Sequence, residues 1–133
     1  MDENNIKLVV TDVDGVLTDS GYIIDYKGNI SKRFNTRDFY AIKYLINEVG
    51  IPVMGLSGAK DPATIYRFQS EEIPLAHGIM NKISFMDQIA EKMGINFDQI
   101  AFIGDHWIDM PVLKKVNLSF CPIDAIEEVK TIS

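Results

Sequence analysis

The sequence predicts an α/β fold with a mostly parallel β-sheet between layers of helices. Apolar runs of strand length occur at residues 6–11, 51–56 and 99–103, and they alternate with segments whose apolar residues recur at helical spacing. Glycine, proline, serine and aspartate separate the two kinds of segment, as is typical of turns. Strands that alternate with helices form βαβ units with right-handed crossovers, and such units build parallel sheets sandwiched by helices.

The first part of the chain predicts a strand, a hairpin and a helix. Residues 6–11 form the first strand, and the aromatic and β-branched residues at 22–26 and 30–34 form a hairpin around a turn at 27–29. Asn35 can cap the helix that follows, and Gly50 ends it. The hairpin, at about residues 21–34, is the only insertion after the first strand, so we expect no cap domain.

The rest of the chain continues the alternation. Asp61-Pro62 is typical of a helix start, and Gly94 of a helix end. The predicted elements are a strand at 51–56, a helix from 61, a short strand at 74–76, a helix at 82–93, a strand at 99–103, a helix at 111–116, a strand at 118–120 and a helix at 124–130. We see no repeat or linker, so residues 1–133 are predicted to form a single domain.

Composition excludes several classes of protein. The chain has 133 residues, of which 47% are hydrophobic and 24% charged, and its apolar runs are shorter than the roughly 20 residues of a membrane helix. A net charge of −6 argues against a nucleic-acid partner. The start lacks the features of a secretory signal, and Cys121 is the single cysteine. We therefore expect a soluble, cytoplasmic protein without an internal disulfide.

Polar residues follow several of the predicted strands, at the edge where α/β sheets bind their ligands. Asp12 and Asp14 come directly after the first strand, and they would share a face because side chains alternate along a strand. Neighbouring carboxylates repel each other, which indicates a cation, acid–base chemistry or both. The other polar residues expected at this edge are Ser57, Lys82, Asp105 and Asp109.

Each signal also has a simpler explanation when it is taken alone. The first two aspartates can hydrogen-bond the backbone of a turn, and Ser57-Gly58 can be an ordinary loop pair. Lys82 can be a solvated lysine, and Asp105 can cap a helix. The shared location of these residues favours a functional site.

With these motifs in this order, the chain resembles the haloacid dehalogenase-like phosphohydrolase superfamily. The four motifs are Asp-Val-Asp-Gly-Val at 12–16, Ser57-Gly58, Lys82, and Gly-Asp-x-x-x-Asp at 104–109. Phe-Asn-Thr-Arg-Asp at 34–38 and Ile-Asp-Met-Pro at 108–111 resemble its capless subgroup, which acts on 3-deoxy-D-manno-octulosonate 8-phosphate and nonulosonate 9-phosphates. The resemblance implies a Rossmann-like three-layer sandwich with a hairpin insertion and no cap domain.

The resemblance also implies a Mg²⁺-dependent phosphomonoester hydrolase that acts on a phosphorylated sugar acid. Asp12 would be the nucleophile that forms an aspartyl-phosphate, and Asp14 would be the general acid and base. Mg²⁺ would bind the Asp12 carboxylate, the Asp14 backbone carbonyl and the Asp105 carboxylate. Asp109 would support these ligands from nearby. The phosphate would be bound by Ser57, Gly58 and Lys82.

Three basic residues lie at the end of the hairpin and just after it. Arg37 opens a helix near the predicted site, and its guanidinium could bind a substrate carboxylate through two hydrogen bonds, so Arg37 is a substrate-binding candidate. Lys32 and Arg33 are expected to be solvated surface charges.

The chain departs from the subgroup's usual pattern at three places. Ala59 stands where an arginine usually follows the second motif, and His106 stands where the fourth motif usually has a second aspartate. Relatives continue with a glycine-rich C-terminal segment, whereas this sequence stops at Ser133. Ala59 and the C-terminal segment bear on how the substrate and its leaving group are bound, and His106 bears on how the metal is bound.

The hairpin carries large apolar side chains that need a partner surface. The resemblance implies a homotetramer in which hairpins from four subunits pack together, while the alternative is a hairpin that folds back on its own domain. Two other functions stay open. One is a catalytically impaired homologue that serves as a binding or assembly module, and the other is a receiver-type phospho-acceptor domain, which the absence of an acid after the third strand disfavours.

Overall fold

The computed structural model describes residues 5–133, which fold around a five-stranded parallel sheet. The strands are, in chain order, β1 (Leu8–Thr11), β2 (Ile23–Ile24), β3 (Ile30–Ser31), β4 (Val53–Leu56), β5 (Leu75–Ala76), β6 (Ile100–Ile103) and β7 (Leu118–Phe120). The order across the central sheet is β5-β4-β1-β6-β7, and every neighbouring pair is parallel. β2 and β3 form a separate antiparallel hairpin.

Helices cover both faces of this sheet. They are α1 (Thr36–Tyr44), α2 (Pro62–Ser70), α3 (Lys82–Met93), α4 (Met110–Leu113) and α5 (Glu127–Ile132). One apolar cluster joins Val10 of β1 to α3, α4 and α5, and a second joins Val9 to Phe39 of α1 and Phe68 of α2. Because neighbouring residues of a strand point to opposite faces, the clusters lie on opposite sides of the sheet. The predicted three-layer α/β sandwich with a hairpin insertion is confirmed, and residues 5–133 contain no cap domain.

The ends of some elements differ from the prediction. α3 begins and ends as predicted, between the cap at Asn81 and the left-handed Gly94. The hairpin strands have only two residues each, because the Asp25 carboxylate accepts the backbone N–H groups of Lys27 and Asn29 and draws residue 25 into the turn. α4 is shorter than the predicted helix at 111–116, and α5 begins after the predicted residue 124 because a backbone turn spans 122–125.

The topology brings three loops to one edge of the sheet. β1 lies between β4 and β6, so the loops that follow these strands meet at their carboxyl ends. These loops begin at Asp12, Ser57 and Gly104. Among the helices of residues 5–133, none combines the length and the apolar character that crossing a bilayer requires.

Candidate active site

The loops after β1, β4 and β6 and the start of α3 surround a cavity of about 300 Å³. The residues around this cavity include six of the predicted ones, namely Asp12, Asp14, Ser57, Gly58, Lys82 and Asp105. Asp109 is fully buried and reaches the site through a contact with Lys82. The structure therefore brings together all the residues that the sequence assigns to catalysis, metal and phosphate.

Lys82 connects two of the carboxylates. Its Nζ lies 2.9 Å from Asp12 Oδ1 and 2.7 Å from Asp109 Oδ1, and its side chain is 1% exposed. The helix dipole disfavours a cation in the first turn of a helix, so α3 by itself does not favour a lysine here. The two carboxylates supply the compensating charge, which explains why a lysine is stable at this position.

Asp109 holds the loop after β6 in place. Its Oδ2 accepts the backbone N–H groups of Asp105 at 3.1 Å and His106 at 3.4 Å, while its Oδ1 accepts from Lys82. Both oxygens are thus engaged by donors of the protein itself. This arrangement suits a residue that orients a metal ligand, as predicted for Asp109.

Burial and charge act together on the acids of this site. Burial is the main cause that raises the pKa of Asp12, and with the charge of Asp109 it outweighs Lys82 and brings that pKa to about 8. Burial likewise raises the pKa of Asp105. Burial alone would lower the pKa of Lys82, but the Asp12 and Asp109 carboxylates raise it above its ordinary value. The lysine therefore stays charged, while Asp12 and Asp105 hold their protons more tightly than ordinary carboxyl groups.

The acidic cluster fits a divalent metal ion. One carboxylate oxygen each from Asp12, Asp105 and Asp109 lies within 4.8 Å of the other two. Because protein donors engage both Asp109 oxygens, Asp12 and Asp105 are the acids that could contact the ion. Hard cations such as Mg²⁺ prefer oxygen ligands of this kind. A metal requires its carboxylate ligands in the ionised form, and its positive charge would offset the effect of burial and of Asp109 on Asp12.

Gly15 allows the loop after β1 to approach the loop after β6. Its φ of +90° lies in the left-handed region that glycine adopts readily. A Cβ at this position would collide with the Asp105 carboxylate and would lie 2.5 Å from its Cγ. The glycine of the first motif is therefore required by both the backbone and the neighbouring acid.

Asp14 has different partners from Asp12. Its Oδ1 accepts a hydrogen bond from the Thr18 hydroxyl at 3.1 Å, and its Oδ2 lies 2.9 Å from Lys32 Nζ. Lys32 also contacts Asp61 at 2.7 Å and donates to the Thr64 hydroxyl at 3.2 Å. Because the Lys32 side chain is only 4% exposed, the expectation that it is a solvated surface charge is wrong.

The pattern of residues after the hairpin turn could have identified Lys32. Ile30, Lys32 and Phe34 are partly buried, whereas Ser31 and Arg33 are exposed. A lysine on the buried side of an alternating segment needs an acidic partner, because an unpaired buried charge is costly. The partners themselves are distant in sequence, so the pattern could not name them.

Ser57 and Gly58 form the turn after β4. Ser57 is buried, and its Oγ accepts a hydrogen bond from the backbone N–H of Ala59 at 3.1 Å. Both residues line the same cavity as Lys82. A hydroxyl, a tight backbone turn and an ammonium group around one space are suited to an anion such as phosphate.

Two further cavities border the site. One, of about 380 Å³, is lined by Asp14 and by the hairpin residues Tyr22 and Ile30. The other, of about 690 Å³, is lined by residues 15–19 and 33–38 and therefore by Arg37. Arg37 is exposed and does not line the 300 Å³ cavity, so its contact with a substrate stays a prediction.

Comparison with known proteins links the motifs to one family. Residues 56–133 match the family model described as haloacid dehalogenase-like hydrolase. The 3-deoxy-D-manno-octulosonate 8-phosphate phosphatase of Haemophilus influenzae is 37% identical over 127 residues, which cover 95% of this chain. The chain spans 70% of the length of that relative and 64% of the length of its namesake from Salmonella typhi.

Solved structures extend the similarity to the whole fold. The cobalt-bound deoxy-D-mannose-octulosonate 8-phosphate phosphatase of Haemophilus influenzae has a TM-score of 0.89 and 36% identity, covering 96% of this chain and 75% of that one. The 3-deoxy-D-manno-octulosonate 8-phosphate phosphatase of Moraxella catarrhalis, in complex with magnesium, phosphate and KDO, has a TM-score of 0.91 and 25% identity, covering 97% and 74%. The resemblance drawn from the four motifs is confirmed, and this chain belongs to the haloacid dehalogenase-like hydrolase family.

Proposed function

We propose that this protein is a Mg²⁺-dependent phosphatase that hydrolyses a phosphorylated sugar acid through an aspartyl-phosphate on Asp12. The observation that carries the proposal is the contact of Asp12 with Lys82 in a cavity that Ser57 and Gly58 also line. A nucleophile, a cation and hydrogen-bond donors for phosphate oxygens then surround one space.

The first step transfers the phosphoryl group to Asp12. An oxygen of the Asp12 carboxylate attacks phosphorus, the bond from phosphorus to the sugar oxygen breaks, and that oxygen takes a proton from Asp14. The products are the free sugar acid and an aspartyl-phosphate. Lys82, 2.9 Å from Asp12, compensates the negative charge of the carboxylate and the phosphate.

The second step releases inorganic phosphate. A water oxygen attacks phosphorus, its proton moves to Asp14, and the bond between phosphorus and the Asp12 oxygen breaks. Asp12 returns as a carboxylate, and Asp14 regains the proton that it gave in the first step. The Ser57 hydroxyl and the Gly58 N–H would bind phosphate oxygens throughout.

The metal would be held by the Asp12 and Asp105 carboxylates and by the Asp14 backbone carbonyl, with Asp109 orienting the loop. We propose Mg²⁺ because the donors are all oxygens, and the two solved relatives contain cobalt or magnesium. When bound, such an ion supplies positive charge that stabilises phosphoryl oxygens in the transition state.

We place the leaving group in the neighbouring cavity of about 380 Å³. Asp14, Ser20 and Ala59 line both this cavity and the phosphate cavity, so Asp14 lies where the two meet. A general acid has to lie at such a point, because it must reach the oxygen between the phosphate and the leaving group. Lys60 also lines this cavity and offers a polar contact to a hydroxylated sugar.

The proposed substrate class comes from the relatives. Those compared are named as 3-deoxy-D-manno-octulosonate 8-phosphate phosphatases, and one structure contains KDO. We extend this class to the present chain as an octulosonate or nonulosonate phosphate. Arg37 is the proposed contact for the sugar-acid carboxylate; since it lines the 690 Å³ cavity and not the 380 Å³ one, it would bind the end of the sugar that extends away from the phosphate.

We also propose that the hairpin mediates a homotetramer and that the protein acts in the cytoplasm. Tyr22, Ile23, Ile24 and Tyr26 are 56% to 93% exposed, and apolar surface of this kind indicates a protein partner. The free thiol of Cys121 suits a reducing compartment. Light scattering is expected to give the mass of a tetramer for the wild type and a smaller mass for Ile23→Asp. A monomeric wild type would contradict the assembly.

Phosphate release from a panel of sugar phosphates tests the proposed activity. Wild-type protein and Asp12→Asn are compared with Mg²⁺ and with EDTA. We expect turnover only by the wild type with Mg²⁺, and the fastest turnover with phosphorylated sugar acids. If no panel member gives Mg²⁺-dependent turnover, the binding or assembly module is favoured, and turnover by Asp12→Asn would exclude Asp12 as the nucleophile.

A further inference from the structure

We propose that Lys32 is a positioning residue that holds the Asp14 carboxylate where it can exchange a proton with the reacting oxygens. The inference rests on the proposed phosphatase function and adds a residue to it. Lys32 Nζ lies 2.9 Å from Asp14 Oδ2, and the Thr18 hydroxyl donates to Asp14 Oδ1 at 3.1 Å. Each oxygen of Asp14 has its own donor, which restricts rotation of the carboxylate.

Lys32 is itself anchored from the opposite side. Its Nζ lies 2.7 Å from Asp61 Oδ1 and donates to Thr64 Oγ1 at 3.2 Å. Asp61 is fixed in turn, because its Oδ2 accepts the backbone N–H and the hydroxyl of Thr64 at 2.9 and 2.8 Å and so caps α2. The side chains of Lys32 and Asp61 are 4% and 5% exposed. The ammonium group is therefore held at the start of α2.

Lys32 holds Asp14 in position, whereas Lys32 itself is held by other residues. The Asp14 side chain is 34% exposed and lines both the phosphate cavity and the neighbouring cavity. Lys32 lines the neighbouring cavity but not the phosphate cavity. Without Lys32, the partly exposed carboxylate would keep only the hydrogen bond from Thr18 and could turn towards water. Lys32 thus acts on the phosphate reaction through Asp14.

The position of the Asp14 carboxylate matters most when the leaving group is a strong base. When the bond from phosphorus to the leaving oxygen breaks, its electron pair moves to that oxygen, and a sugar oxygen then needs the proton of Asp14. p-Nitrophenolate is a weak base and leaves without a proton. Proton transfer requires the two heavy atoms within about 2.6–3.2 Å, so a misplaced Asp14 slows only the reaction that uses the proton.

The test compares kcat/KM for p-nitrophenyl phosphate with kcat/KM for the sugar phosphate that the wild type hydrolyses fastest. Wild-type protein and Lys32→Met are measured with Mg²⁺. For Lys32→Met we expect a loss of about 100-fold on the sugar phosphate and of less than about 10-fold on the aryl ester, because general acid catalysis contributes about 10²–10⁴-fold. kcat/KM reports the step in which the leaving group departs and not the later hydrolysis of the aspartyl-phosphate.

Two further variants separate positioning from folding. Lys32→Met leaves Asp61 buried without its partner, whereas the double variant Lys32→Met/Asp61→Asn removes that charge and keeps an asparagine cap on α2. Lys115→Met removes an exposed lysine that pairs with Asp87 at the surface, and it should retain both activities.

Each outcome is decisive. A loss that is confined to the sugar phosphate in Lys32→Met and in the double variant, and that lowers kcat with KM unchanged, supports the role of Lys32. A loss that appears only as a higher KM indicates a direct contact with the sugar and overturns it. Equal losses on the two esters, or full activity of the double variant on the sugar phosphate, overturn it. A wild type that hydrolyses neither ester overturns the proposed phosphatase function instead.

Discussion

An alanine at Gly15 would test whether the close approach of two loops builds the acidic cluster. Gly15 has a φ of +90°, and an alanine Cβ would lie 2.5 Å from Asp105 Cγ. The left-handed backbone costs about 1–2 kcal/mol for a residue with a Cβ. The collision adds to this cost, and it is relieved only if Asp105 or the loop moves. Gly15→Ala should therefore displace a proposed metal ligand as well as strain the backbone.

Gly50→Ala is the matched control for this prediction. Gly50 has a similar φ of +83°, and no atom lies within 4 Å of the position of its missing Cβ. In urea unfolding, both variants should lose about 1–2 kcal/mol of the free energy of unfolding through backbone strain. Gly15→Ala should also lose about 100-fold in Mg²⁺-dependent kcat/KM, since a misplacement of about 1 Å can cost 10²-fold. Gly50→Ala should keep wild-type kcat/KM.

The activity of Gly15→Ala separates backbone strain, which both variants share, from displacement of Asp105, which only Gly15→Ala causes. If it matches Gly50→Ala in both stability and activity, the reasoning is refuted, because the position of Asp105 would then not depend on the missing side chain at Gly15. A restored activity at high Mg²⁺ concentration would still agree with a displaced metal ligand.

Two other predictions concern the charges of the site. Lys82→Met should lower the free energy of unfolding by about 3–5 kcal/mol at pH 8, because it leaves Asp12 and Asp109 buried without their cation. Urea unfolding should show a smaller loss at pH 5 than at pH 8. Equal losses at the two pH values would contradict the argument from charge. In the metal-free wild type, burial raises the pKa of Asp12 from 3.8 to about 8, so the folded state holds a proton that the unfolded state releases. The free energy of unfolding of the metal-free wild type should therefore fall as the pH rises from about 4 to about 8, and Mg²⁺ should offset this fall. A metal-free protein whose free energy of unfolding rises over that range would contradict the prediction.

Much of the fold was predictable because local signals and topology agree. Asp61-Pro62 and Gly94 mark helix ends through their own backbone preferences, and the structure has them at those places. The hairpin strands were predicted too long because apolar content does not reveal the Asp25 side chain that closes the turn early. Side-chain hydrogen bonds of this kind compete with the strand ladder and are weakly visible in composition.

The site was predictable where it depends on the order of strands. Parallel strands have their carboxyl ends at one edge, so residues such as Asp12, Ser57 and Asp105 had to lie close together. The alternation of residues 30–34 could have placed Lys32 on the buried side of the hairpin, but its partners Asp14 and Asp61 lie across long stretches of chain. Pairing of that kind follows from how the hairpin lies against α2, and no local pattern contains it.

Trapping the phosphorylated enzyme tests the proposed chemistry most directly. Protein is mixed with Mg²⁺ and the sugar phosphate that the wild type hydrolyses fastest, and the reaction is quenched in acid during turnover. The protein is then digested, and the mass of the peptide that contains Asp12 is measured by mass spectrometry. The mechanism predicts the added mass of one phosphoryl group on Asp12 in the wild type and none in Asp12→Asn. Steady turnover in which no such peptide forms, or turnover by Asp12→Asn, would contradict it.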